Sequence, residues 1–172
     1  MSLSVILLFA LSIGLVCGLR SMMGPALVCI GTHVEWMHLD HSKLAFLHSM
    51  VALAVFSLFA VGEIIGDKMP WIPGRNQPGP LIVRFVSGAI CGAALCITAG
   101  VSVGAGALLG GIGGVAGGLG GYYARRSLTT KRSLPDLAIG ITEDVAAIGF
   151  GLLIVSRFEP FARSVEQYIN LK

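Results

Sequence analysis

Five runs of apolar residues, at 3–19, 44–66, 81–99, 101–123 and 137–155, each approach the length of helix that crosses a membrane. A hydrocarbon core about 30 Å thick takes roughly 20 helical residues. Lipid offers no hydrogen-bond partners, so runs of this kind must satisfy their own backbone and fold as helices. The expected fold is all-α: a multi-pass transmembrane helical bundle of about five spans over residues 1–156, then an amphipathic tail at 157–172. That tail mixes charges with Phe158, Phe161, Val165, Tyr168 and Ile169 and reads as an interfacial helix. With 55% hydrophobic and 12% charged residues, a chain of 172 residues has too little polar surface to enclose a soluble core. The lipid bilayer is its first partner.

Two segments complicate the map. Residues 21–34 are apolar but short and carry Gly24-Pro25 near their start, the pattern of a half-helix or re-entrant piece. The loop at 69–80 holds Pro70, Pro73, Pro78 and Pro80 and cannot be helical throughout; Trp71 sits where an interfacial anchor is expected. The first apolar run resembles a signal peptide, and Leu15-Val16-Cys17-Gly18 resembles a lipoprotein cleavage site. Yet no Lys or Arg precedes the run and Val16 is not small, so it reads as a retained span. Cys17, Cys29, Cys91 and Cys96 lie in or beside apolar stretches and read as buried, reduced thiols.

Five spans put Lys68, Arg75, Arg84, Arg125, Arg126, Lys131 and Arg132 on one side, and Arg20, Lys43, Arg157, Arg163 and Lys172 on the other. The denser short-loop cluster assigns the first side to the cytoplasm, with the N-terminus inside and the C-terminus outside a cell (inner) membrane. The net charge of +3 is small and dispersed, which points away from nucleic acid.

The fourth run is dominated by glycine. Gly106, Gly110, Gly114 and Gly118 repeat at four-residue spacing, as do Gly113, Gly117 and Gly121. On a helix these positions cover an arc of roughly 160°, opposite Leu108, Leu109, Ile112, Val115 and Leu119. A face of bare backbone lets a neighbouring helix approach to van der Waals contact, the main source of helix association in lipid. The neighbour can lie in the same protomer or in a homo-oligomer. A phosphate-binding loop is the competing use of glycine, but no strand precedes the run and no Gly-Lys-Ser/Thr follows.

Ionisable residues within apolar runs need a partner or a purpose. Glu143 and Asp144 fall near the middle of the last run, where a carboxylate costs about 2.5–3.5 kcal/mol. Asp136, Gly140 and Glu143 share a helical stripe, and Glu63 and Asp67, beside Lys68, share one in the second run. Arg20 and Arg84 are the available counter-charges. Two readings stand: a polar intramembrane site for an ion, a proton or a small-molecule solute, or an ion-pair network that fixes helix register. His33, His38 and His41 are weak metal candidates whose spacing fits no closed zinc pattern. No nucleophile-and-base constellation or cofactor motif is legible, so the sequence leans away from an enzyme.

Gly18-Leu19-Arg20-Ser21-Met22-Met23-Gly24-Pro25, Gly62-Glu63, Asp67-Lys68-Met69-Pro70, Pro73-Gly74-Arg75, Pro135-Asp136 and Glu143-Asp144 together resemble an uncharacterised family of small bacterial integral-membrane proteins, a domain of unknown function (DUF4126). The resemblance covers nearly the whole chain and implies a small integral membrane protein with no established activity. From the residues alone, the acidic pairs in opposite halves suit a small transporter or channel-like protein with broken helices. The alternative is a non-transporting scaffold or lipid-binding assembly factor that packs through the glycine face.

Overall fold

The computed structural model describes residues 2–40, 42–66, 78–132 and 136–158. The expectations for His41, Asp67, Lys68, Trp71 and the 159–172 tail lie outside these residues, as does the side chain of Asp136. Among the described residues six α-helices run in chain order: α1 (Leu3–Leu19), α2 (Met23–His33), α3 (Met50–Gly66), α4 (Pro78–Thr98), α5 (Val103–Arg132) and α6 (Asp136–Ser156). A short 3-10 helix, Ala45–His48, precedes α3, and the described residues contain no strand. Helices α4, α5 and α6 are each long and apolar enough to cross a membrane, and α1 and α3 are apolar helices of 17 residues. Leu8, Leu58, Phe59, Ile82, Leu108, Val145 and Phe150 are all more than half exposed, a belt of large side chains that only lipid accommodates. The chain is a helical membrane protein.

The glycine face of α5 serves two neighbours inside the same chain. A Cβ on Gly110 would overlap the Gly88 carbonyl of α4, and one on Gly14 of α1 would overlap the Gly110 carbonyl. Further along, Gly113 and Gly117 abut the α1 backbone at Leu11 and Leu15, while Gly106 meets Gly92 and Gly114 meets the Arg84 carbonyl. Backbones this close exclude every side chain, so glycine at these positions is required by approach rather than by backbone conformation. Between α4 and α5 the chain reverses at Gly100, φ 65°, where Gly100 N–H bonds the Ile97 carbonyl and Val101 N–H the Cys96 carbonyl. This is the αL closure of a Schellman motif, and it returns α5 antiparallel along α4.

Contact order fixes the remaining directions. Gly14 meets Gly110 and Gly18 meets Gly114, so α1 and α5 are parallel. Arg20 meets Asp144, Val16 lies beside Gly151, and Phe9 packs edge-on against Phe158, so α1 and α6 are antiparallel. Helix α2 runs with α6, since Leu27 abuts Gly151 and Val155 abuts Gly31. Residues 23–49 therefore return across the bundle: α2 covers roughly 16 Å, and the following segment buries Met37, Leu39 and Leu47. Phe9 near the start of α1 and Phe158 after the end of α6 are in contact, and Arg20 and Arg84 lie at the opposite end of these helices.

Candidate functional site

The site begins with a break. After Leu19 the backbone turns extended at Arg20, φ −140° and ψ 108°, and α2 starts at Met23. Pro25 falls in the first turn of α2, where its missing N–H has no intrahelical acceptor to lose. The reversal exposes the N–H groups of Ser21 and Met22, and Met22 has no side-chain oxygen with which to cap the helix.

Glu63 of α3 supplies the cap from outside. Its Oε1 accepts from the Ser21 N–H at 2.9 Å and from the Ser21 hydroxyl at 2.9 Å, and its Oε2 accepts from the Met22 N–H at 3.0 Å. A carboxylate at a helix N-terminus also meets the positive end of the helix dipole, worth about 0.3–2 kcal/mol. Arg20 returns the interaction: its Nη1 donates to the Glu63 carbonyl at 3.1 Å. That carbonyl lies in the last turn of the described part of α3.

The other edge of the Arg20 guanidinium faces α6. Nε donates to Asp144 Oδ1 at 2.6 Å, and Nη2 lies 2.6 Å from the same oxygen. Arg20 is 1% exposed and is the largest fully buried side chain among the described residues. One arginine thus ties the α1–α2 turn to the end of α3 and to α6. Arg84 of α4 is also buried in this end of the bundle, with its stem against Gly118.

Asp144 lies eight residues, roughly 12 Å, from the start of α6. Glu143 is half-buried and lines a cavity with Gly120, Gly121, Ala124 and Arg125, beyond the middle of α5 and beside Tyr122 and Tyr123.

Of the polar residues singled out in the sequence, Arg20, Glu63 and Asp144 form one bonded cluster, Arg84 lies in the same end, and Glu143 faces the adjoining cavity. Sequence reasoning passed over the main-chain donors of Ser21 and Met22, for which Gly24-Pro25 as a helix start is the only signal. His33 Nδ1 lies 2.9 Å from the Cys29 carbonyl, and its ring stacks on His48 with centroids 5.0 Å apart. His38 is half-buried in the loop after α2. Among the described residues no three His, Cys, Asp or Glu side chains are grouped to hold a metal ion. Cys17 and Cys91 are both fully buried.

Residues 7–162 match the family model described as Domain of unknown function (DUF4126). The chain belongs to that family. No curated protein and no solved structure matches this DUF4126 chain, so its function must be argued from its own residues.

Proposed function

We propose that this protein is a small transporter or channel-like protein whose polar site is the α1–α2 turn. The observation that carries the reading is the Glu63 carboxylate seated on the N-terminus of a half-length helix, with Arg20 linking it to Asp144. In membranes, discontinuous helices direct their N-terminal N–H groups at charged substrate groups. Here an internal carboxylate holds those donors. Protonation of Glu63 removes the charge that binds Ser21 and Met22 and lets the turn open.

The glycine-docking scaffold has less support, because Gly106, Gly110, Gly113, Gly114, Gly117 and Gly118 already pack against α1 and α4. We assign the end bearing Arg20, Arg84, Arg125 and Arg126 to the cytoplasm, which puts the start of α1 and the end of α6 outside. The test is current on a solid-supported membrane carrying reconstituted protein, after jumps in pH, Na⁺, K⁺ or mixed small organic anions. Wild type should respond to at least one jump, and Glu63→Gln should lose at least about tenfold of the signal while keeping its melting temperature within a few degrees. Silence of folded wild type to every jump sinks the transport reading; lost current only in variants that unfold makes the network structural.

A further inference from the structure

Helix α2 is enclosed and α3 is not. All of α2 except Ile30 and His33 is buried, against α1, α4, α6 and α3. Helix α3 packs chiefly against α2 and the 3-10 turn before it. Its buried residues are Ala52 and Ala60, with Leu53, Phe56 and Ile64 partly buried beside them, while Leu58 and Phe59 are exposed. The two ends of α3 are fastened differently. At its start, Leu47 of the 3-10 turn is fully buried, and the Thr32 hydroxyl of α2 donates to the Leu47 carbonyl at 3.3 Å. Between turn and helix the backbone is extended at Ser49, φ −75° and ψ 142°. At the far end the fastening is polar: the Glu63 carboxylate on Ser21 and Met22, and the Arg20 guanidinium on the Glu63 carbonyl.

We propose that α3 is a gate over the α1–α2 turn, hinged at Ser49 and latched by Glu63; this rests on that turn being the working site and adds how it is opened. In lipid, a helix that leaves its neighbour trades protein contacts for acyl chains, so separation costs close packing and hydrogen bonds rather than hydrophobic burial. The packed seam of α3 is narrow, and its hydrogen bonds to the rest of the chain are gathered at the Glu63 end. Water or an anionic group can replace the Glu63 oxygens on the Ser21 and Met22 N–H groups, whereas nothing replaces the burial of Leu47. The helix therefore opens from the Glu63 end. Glu63 lies fourteen residues, roughly 20 Å, along the chain from Ser49, so a swing of about 20° moves it by roughly 7 Å and frees both N–H groups. Those groups cannot stay unmet in a membrane, so the gate stays shut until water or a solute reaches the turn.

The test places nitroxide pairs on the full chain in lipid nanodiscs: Ile65→Cys near the latch or Val51→Cys beside the hinge, each with Leu108→Cys on α5. All three positions are exposed, and the four native cysteines are buried and stay unlabelled. Distances are read by double electron–electron resonance. With Glu63 intact each pair should give one dominant distance. Glu63→Gln should add a second distance for the Ile65 pair, displaced by at least about 5 Å, and leave the Val51 pair within about 2 Å of its original value. That second distance in a protein silent to every ion or solute jump supports the gate and sinks transport alone. One unchanged Ile65 distance in folded Glu63→Gln overturns the gate, as do equal shifts in both pairs, which mean a helix that has come away whole. Should Glu63→Gln fail to fold, Ser21→Ala takes its place by removing the hydroxyl donor of the latch. An unchanged Ile65 distance in that variant is equally fatal.

Discussion

Within six residues α1 holds its neighbours in two opposite ways. At Gly14 and Gly18 it meets α5 backbone to backbone, with no side chain between them. At Arg20 it reaches α6 and the end of α3 through a buried guanidinium that makes three polar contacts. The first contact is short, apolar and without chemistry; it works only because nothing is there. The second is long and charged and is held by several hydrogen bonds. The chain therefore has an apolar seam, α1–α4–α5, and a polar end where α2, α3 and α6 meet the seam.

The seam should be the more brittle of the two. Gly110→Leu places a side chain against the α4 backbone at Gly88 and Gly92, so overlap cannot relax by rotamer change, and the cost should exceed the roughly 1–3 kcal/mol typical of an overpacked core. The expected outcome is no monodisperse protein by size-exclusion chromatography; a variant melting like wild type would erase the contrast drawn here. Arg20→Leu comes next, with a loss of about 3–5 kcal/mol from stranding Asp144, measured by unfolding in mixed micelles. The pair Arg20→Leu with Asp144→Leu should recover most of that loss, because removing both charges leaves neither stranded.

Glu63→Gln sharpens the comparison further. The amide oxygen still accepts one or two of the three hydrogen bonds but loses the charge, so about 1–2 kcal/mol is expected by the same assay. A loss as large as that of Arg20→Leu would make Glu63, rather than the arginine, the centre of the polar end. At the bottom of the scale stands Gly120→Ala, on the same helix as Gly110 but facing open space. It should stay within about 0.5 kcal/mol of wild type. Two glycines ten residues apart would then differ by several kcal/mol for reasons of approach alone.

The helices were readable because a membrane forces backbone pairing within each apolar run, and α4, α5 and α6 fall close to the runs that announced them. Helix α5 is longer than its apolar run, continuing past Tyr123 to Arg132, because charged residues extend a helix as readily as they end a hydrophobic stretch. The segment after Arg20 was half legible. Gly24-Pro25 marked a helix start, but nothing local said that α2 would run alongside α6. Arg20 was visible as a counter-charge, while the choice among Glu63, Asp67, Glu143 and Asp144 depended on which helices became neighbours.

Sequence alone determined that this chain lives in lipid, that it is helical, and that α5 must be approached closely, since each follows from local composition and spacing. Only tertiary structure decided that the glycines pack within the chain on two sides, and that Arg20 pairs with Asp144, 124 positions away. The reason is that periodicity tells a helix which face is bare or charged. Which partner that face meets depends on the direction of every intervening passage, and one short helix, α2, reverses the answer.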